Sequence, residues 1–277
     1  MQLECPSLDI YVPDGTPLEQ ALARTTHLGI GAHPDDLEIM AIPGILQCHQ
    51  HQDYWFTGVV LCDGASSPRQ GQYANFSDAD MARQRRQEQR AAAQLGGYSV
   101  QLQLGYSSEQ LRRPAQSAVI DNLALVLAHC KPHSVYLHNP ADAHATHRAA
   151  VSLCMQALQA LPQGQLPAEV HGVEVWRSLD WLTDPFRRSL PVSDPGKLQQ
   201  ALLRCHDSQV SGGKRYDTAI IARQQAYATL AERHAVDHQQ PCALAMNLRP
   251  VLEDPSVDLP AYLQRCLREF SGSLTDD

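Results

Sequence analysis

The sequence predicts an α/β fold of Rossmann-like type, a mostly parallel sheet flanked by helices and followed by a C-terminal helical extension. Three observations predict it. Apolar, β-rich runs alternate with amphipathic stretches through the first two-thirds of the chain, the pattern of βα units. Clusters of imidazoles and carboxylates follow two of those runs abruptly, where ligands sit in open α/β sheets. Beyond residue 195 the pattern turns to helical period.

Taken in order, residues 1–26 read as an N-terminal extension, and the strands as His27–Ala32, Tyr54–Cys62, Tyr98–Leu104, Ser134–Leu137 and Val170–Ser178. Between them Glu38–Gln52, Asp78–Leu95, Ala115–Cys130 and His144–Leu161 read as helices. Asp78–Leu95 has the clearest ends: Ser77 can cap, acidic residues fill the first turn, and Gly96-Gly97 stop it. Asp63–Ser77 and Pro185–Pro195 read as loops, the first at a carboxyl edge of the sheet. Lys197–Asp207 and Gly213–His234 continue as helices, and Ser271–Asp277 as a frayed end. All 277 residues are read as a single domain, with 195–277 packed on it.

Composition narrows the function classes. With 43% hydrophobic and 19% charged residues the chain has the make-up of a globular protein. Its formal charge of -8 offers no basic footprint, so nucleic acid is not expected as a partner. No stretch approaches 18 apolar residues and no signal peptide is read at the N-terminus, so no membrane association and a cytoplasmic setting are expected. Eight scattered cysteines without a CxxC pair fit a reducing compartment and core packing rather than a thiolate metal site.

The first chemical cluster is His33-Pro34-Asp35-Asp36-Leu37-Glu38, directly after a buried-strand pattern. Zinc accepts His nitrogen and Asp oxygen, and adjacent aspartates at a strand end can diverge, one to metal and one to water. Capping of the following helix by Asp35 or Asp36 is the plainer reading. A GxGxxG dinucleotide loop is excluded, because the third glycine is missing and His and Pro occupy the turn. The second cluster, Asn139-Pro140-Ala141-Asp142-Ala143-His144-Ala145-Thr146-His147, again follows a strand. His144 and His147, three apart, share a helical face and can converge, while Asp142 can cap that helix or fix an imidazole tautomer. His234 and His238 read as surface or helix-end residues, and Trp176 and Trp181, which bracket a turn, as core packing ahead of sugar stacking.

His33-Pro34-Asp35-Asp36-x-Glu38 with Asn139-Pro140-x-Asp142-x-His144-x-Thr146-His147 resembles the PIG-L/LmbE-like zinc N-deacetylases. The likeness runs in family order from Leu28 to Gln209, through Cys62-Asp63-Gly64, Arg85-x-x-Glu88, Leu95-Gly96 and His206-x-Ser208-Gln209. The resemblance implies one Zn2+ per chain, or another divalent metal, on His33, Asp36 and His147. It implies Asp35 as general base and His144 as the group that stabilises the oxyanion or protonates the leaving amine. Asp63 and Arg85 match pocket-lining positions, and Asp142 is grouped with them at the substrate site. The implied substrate is an N-acetylated amino sugar or small glycoconjugate, with room for a homo-oligomer; an amidase for a bulkier conjugate, or a non-catalytic sugar- or metal-binding protein, are the alternatives. In one departure, Ala41-Ile42-Pro43-Gly44 stands where the family often has a Gly-Gly pair.

Overall fold

The computed structural model describes residues 1–277 except 115, 193–196, 231–239, 255 and 276–277. Its strands are β1 (Asp9–Tyr11), β2 (His27–Gly31), β3 (Phe56–Cys62), β4 (Val100–Tyr106), β5 (Ser134–His138), β6 (Glu169–Val173), β7 (Arg187–Pro191) and β8 (Cys242–Asn247). The helices are α1 (Leu18–Ala23), α2 (Asp36–Met40), α3 (Ile42–Cys48), α4 (Asp78–Gly96), α5 (Ser108–Arg112), α6 (Ser117–Cys130), α7 (Ala145–Gln159), α8 (Leu198–Arg204), α9 (Asp207–Val210), α10 (Tyr216–Leu230), α11 (Arg249–Glu253) and α12 (Leu259–Ser273).

All eight strands form one sheet in the order β1-β4-β3-β2-β5-β6-β8-β7. The five strands from β4 to β6 are parallel, while β1, β8 and β7 join antiparallel. Strands β2, β3 and β5 are buried at every residue, as expected where helices cover both faces of a parallel sheet. One apolar cluster packs α1, α6, α7 and α12 against one face, and a second packs α2, α3, α4, α8 and α10 against the other. The chain order reverses between β2 and β5, whose adjacent carboxyl ends open a crevice. In open α/β sheets this is where ligands bind, and both chemical clusters emerge there. Among the described residues no helix is long and apolar enough to cross a membrane.

Several elements differ from the sequence reading, each for a physical reason. The helix expected over Glu38–Gln52 breaks at Ala41 into α2 and α3, because Pro43 has no N–H for a continuing helix and is accommodated in the first turn of a new one. Gly44 then lets the Tyr136 ring lie where a Cβ would clash with it. Strand β7 occupies the middle of the expected Pro185–Pro195 loop; its two arginines and proline suit a sheet edge. The last third is therefore not purely helical, since β8 (CALAMN) enters the sheet between β6 and β7 on a run of weak strand formers. Residues 1–26 are tied to the sheet through β1, with Arg90 paired to Asp9. Strand β6 ends at Val173, so Trp176 lies beyond it. All eight cysteines are free and six are buried.

α4 matches its expected boundaries closely. Ser77 and Asp80 form a reciprocal capping box, and Gly97 closes the helix at φ 65°. Its inward face presents Arg85, Glu88, Gln89 and Ala92 at helical spacing. Glu88 accepts from the Ser208 N–H and hydroxyl, both at 2.7 Å, which docks α9 onto α4. Next to this, the fully buried Glu38 accepts from His206 Nε2 at 3.0 Å, Tyr98 at 2.7 Å and Gln89 at 2.9 Å. Burial would raise the Glu38 pKa, but His206 and these donors hold it lowered. Removing one partner of a buried ion pair strands the other charge, at a cost of about 3–5 kcal/mol. His206→Ala is accordingly expected to lower the free energy of urea unfolding by that amount, shifting the midpoint down in proportion; an unchanged midpoint would show that this pair does not hold α8 and α9 to α2.

Candidate active site

The chain leaves β2 through His33-Pro34-Asp35 and enters α2 at Asp36. Asp35 adopts φ 97° and ψ −27°, a conformation costing a non-glycine residue on the order of 1–3 kcal/mol. The inversion turns the adjacent carboxylates apart. Asp36 faces the imidazoles, and Asp35 faces α4 and α10. Capping is thereby excluded for Asp35, since it occupies the N-cap position without a side-chain cap bond.

His33 Nδ1 and His147 Nε2 lie 3.3 Å apart, with Asp36 Oδ2 3.3 Å from the first and Asp36 Oδ1 3.3 Å from the second. A tetrahedral centre with ligands at ~2.0–2.1 Å has ligand–ligand edges of about 3.3–3.4 Å; each of these three spacings has that length, with Asp36 meeting the two imidazoles through different oxygens, and the donor chemistry suits a small divalent ion. The outward nitrogens face polar partners: His33 Nε2 lies 3.2 Å from Ser108 Oγ, and His147 Nδ1, which makes no hydrogen bond among the described residues, lies 3.2 Å from the Asp142 Oδ1 charge. Such partners fix the tautomer that aims a lone pair inward. Burial opposes charge on Asp36, but His147 and His138 keep its pKa well below the usual carboxylate range. For His147 burial pushes the pKa down, but Asp36 and Asp142 outweigh it, leaving it raised.

His144 is the N-cap residue of α7 rather than part of the helix. Its ring meets His33 edge-on at 5.0 Å and His147 at 4.6 Å between centroids. Burial, then the neighbouring His147 and His33, push its pKa down to about 4. Donor atoms of His33, His144 and His147 lie close enough together for one ion, as do those of Asp36, His138 and His147, which makes His144 and His138 the competing third ligands.

His138, unforeseen in the sequence, is fully buried and stacks on His147 with centroids 3.8 Å apart. Its Nε2 accepts the Ala32 N–H at 2.9 Å, so the lone pair facing Asp36, 3.3 Å away, is already engaged. We assign it to positioning the His147 ring and not to a metal. Burial, with His147 beside it, pushes its pKa down to about 4, in keeping with a neutral ring. Its place at the end of β5, just before Asn139-Pro140, was the available signal.

Asp35 is held on one oxygen only. Tyr216 donates to Oδ2 at 2.8 Å and Arg85 Nη2 pairs with Oδ2 at 2.9 Å, while Oδ1 takes no hydrogen bond among the described residues. Burial raises the Asp35 pKa, and Arg85 offsets this in part. Arg85 also bonds Ser67 Oγ and the Pro34 carbonyl. Gly64, at φ 71°, makes room for the guanidinium, because a Cβ there would lie 2.8 Å from Arg85 Cδ. Gln89 accepts the Asp35 N–H at 3.2 Å.

These groups line a cavity of about 340 Å³ whose walls include His33, Asp35, Asp36, Arg85, His144 and His147. A larger groove of about 770 Å³ lies at the amino ends of β5 and β6, near Tyr136 and His171, and contains none of them. Two expected substrate contacts are corrected. Asp63 does not line the cavity; its carboxylate accepts the Ala65 N–H at 3.0 Å and so shapes the loop after β3. Asp142 is likewise behind the wall, accepting the N–H groups of His144 at 2.8 Å and Trp176 at 3.0 Å. Asp142→Asn is expected to weaken metal binding about 10–100-fold, measured by competition with a chromophoric chelator; unaltered affinity would remove Asp142 from the ligand-orienting role. Tyr216, Gln209, Lys214 and Trp176 complete the walls. Trp176 is half exposed, contrary to the packing expectation, whereas Trp181 packs edge-on against Phe270. His234 and His238 fall outside the described residues.

Residues 28–158 match the model of the PIG-L family, described as GlcNAc-PI de-N-acetylase. No curated protein matches the chain. Among solved structures it is similar to GalB, the 4-carboxy-2-hydroxymuconate hydratase of Pseudomonas putida, with TM-score 0.61 and 21% identity over 80% of this chain and 95% of that one. It is also similar to the N,N′-diacetylchitobiose deacetylase of Pyrococcus horikoshii, with TM-score 0.61 and 18% identity over 79% and 83%. The A40926 pseudoaglycone deacetylase Dbv21 gives TM-score 0.58 and 16% identity over 81% and 97%. At these identities the likeness is one of fold. The whole converging set of histidines and aspartates lies inside residues 28–158, the segment that matches the PIG-L family model, on a fold similar to that of these deacetylases and the hydratase.

Proposed function

We propose that the chain is a metal-dependent hydrolase that removes the acetyl group from an N-acetylated amino sugar or small glycoconjugate. One observation carries the reading: His33 Nδ1 and His147 Nε2 lie 3.3 Å apart, each 3.3 Å from a different oxygen of Asp36, beside a buried acid, Asp35, whose second oxygen is free. His33, Asp36 and His147 would hold one divalent ion, zinc by the chemistry of the donors. When bound, such an ion lowers the pKa of water from 15.7 to about 7 and polarises a carbonyl, which an unreactive amide requires.

The chain's own groups supply the remainder. Asp35 Oδ1 accepts the proton of the attacking water, while Tyr216 and Arg85 keep Oδ2 fixed so that Oδ1 faces the cavity. His144, at the rim of the cluster, donates a ring N–H to the oxygen of the tetrahedral intermediate; losing one such donor typically costs ~10²–10³ in rate. The proton held by Asp35 then passes to the departing amine nitrogen. Arg85 is a positioning residue in this scheme, since all its bonds go to protein. A binding-only protein would have no use for an acid held in a strained backbone beside the donor set.

Incubation of the zinc-loaded protein with N-acetyl sugars should release acetate and free amine in equal amounts. A second reading, addition of water to an unsaturated acid, is favoured by the similarity to a hydratase. It makes the opposite prediction: water uptake by an unsaturated acid, and no acetate from any N-acetyl sugar.

A further inference from the structure

The groove of about 770 Å³ at the amino ends of β5 and β6 lies at the edge of the sheet opposite the donor cluster. Its lining includes Tyr136, His171 and Asn247, which pair in register across β5, β6 and β8 and so share one face of the sheet. The next row along that face holds Val173 and Ala245, apolar and fully buried, as expected under covering helices. A polar row beside it needs a reason.

Each member of the row keeps a polar atom without a partner among the described residues. Tyr136 is 3% exposed and its hydroxyl makes no hydrogen bond; His171 is 6% exposed and its buried Nδ1 has none. The Asn247 side chain takes the Arg249 N–H on Oδ1 at 3.3 Å, while its amide nitrogen is unbonded. Buried polar groups normally find partners. Three neighbours lacking them point to a polar occupant.

The charges say more about that occupant. Arg249 Nε and Glu253 close an ion pair at 3.0 Å, which leaves Arg188 and Glu169 among the charged groups of the lining. Among the described residues the Arg188 guanidinium meets only main-chain carbonyls, those of Pro185 and Arg187, each at 2.9 Å. Glu169 Oε2 accepts from the Ser134 hydroxyl at 2.7 Å and lies 3.4 Å from His171 Nε2, while Oε1 takes no hydrogen bond there. Opposite charges are therefore open at the two ends. Val173, Ala245 and Arg188 share one register row, so Arg188 stands two strands across and four residues along from Glu169. With strands ~4.8 Å apart and a rise of ~3.3 Å per residue, that diagonal is about 16 Å. Three extended residues at ~3.5 Å each, with a hydrogen bond of ~2.8 Å at either end, span the same length.

We propose that this groove binds a short peptide with free ends, about three residues long. Its ammonium group pairs with Glu169 and its carboxylate with Arg188. Its peptide groups lie over the polar row, where Tyr136 and Asn247 donate and His171 Nδ1, whose partner nitrogen faces a carboxylate, accepts. The groove's volume is within the ~300–1,000 Å³ of small-ligand sites. None of the residues assigned to the reaction lines it, so the inference does not rest on the deacetylase reading.

Titration calorimetry of the zinc-loaded protein with trialanine, N-acetyl-trialanine and trialanine amide tests both ends. Trialanine should bind, and each blocked form about 10-fold more weakly. Arg188→Met should weaken trialanine about 10-fold and leave trialanine amide unchanged; Glu169→Gln should weaken trialanine and leave the N-acetyl form unchanged. Both side chains are exposed, so neither change opens the core. Tyr136→Phe, which retains the ring, should weaken all three peptides. Affinities indifferent to the blocked ends would overturn the proposal, as would no binding of trialanine by the parent protein. Free peptides also ligate zinc, so His147→Ala is the control: binding that vanishes in it and persists in Arg188→Met belongs to the donor cluster and overturns the groove.

Discussion

His147→Ala is expected to take the protein from about one bound zinc per chain to none and to lower acetate release by more than ~10³. The size of the effect follows from the position of the ring. His147 Nε2 is 3.3 Å from both His33 Nδ1 and Asp36 Oδ1, so it closes the triangle, and two donors alone leave an open, weakly held site. Its ring is also the stacking surface of His138 and the partner of Asp142, so no neighbouring imidazole is free to swing into its place. His144 is the exception, since it lies near both His33 and His147; metal retained in full by the alanine variant would show that His144 completes the set instead. A thermal unfolding curve of the metal-free variant against the metal-free parent separates loss of ligand from loss of fold.

Asp35→Asn gives the second large effect, and with the opposite signature. The amide preserves the shape of the carboxylate and can still accept from Tyr216 and Arg85, so the strained turn at φ 97° and the donor triangle behind it should persist. Zinc content is then expected to stay at that of the parent. What disappears is the free oxygen that takes up a proton, and removal of a positioned base costs typically 10²–10⁴ in kcat. Turnover within a few-fold of the parent would exclude Asp35 as the base and move that duty to another group.

These expectations rest on features of unequal visibility in the sequence. The parallel centre of the sheet was legible because β2, β3 and β5 are short apolar runs with no polar alternation, which sheets covered on both faces require. Polar clusters breaking off from β2 and β5 then located the crevice, since a buried strand ends in imidazole and carboxylate for a reason. The capping box of α4 and its glycine stop fixed that helix almost to the residue. Less legible were elements whose partners decide them. β8 is built of alanine, cysteine and methionine, and becomes a strand because β6 and β7 flank it. β1 has only three residues, too few for a period to show.

Within the site, the residues near the two motifs were readable and those brought by tertiary packing were not. Tyr216 reaches Asp35 across 181 positions of sequence, on a helix with no motif to mark its tyrosine. His138 stood at a telling place, the end of β5, but its burial and its stacking on His147 are set by tertiary packing and leave no pattern in the sequence. Asp63 and Asp142 were visible as polar residues in the right loops, yet local backbone N–H groups, rather than a substrate, take up their carboxylates. Trp176 was misjudged because β6 ends at Val173, five residues before the strand read from the sequence, which leaves the indole half exposed.

Anomalous diffraction at the zinc edge, from crystals grown with one equivalent of zinc, puts the central geometry to the most direct trial. A single strong peak at about 2.0–2.3 Å from His33 Nδ1, an Asp36 oxygen and His147 Nε2, with Asp35 outside bonding distance, is the predicted result. A peak bonded to Asp35, or one between His33, His144 and His147 with Asp36 left out, would contradict it.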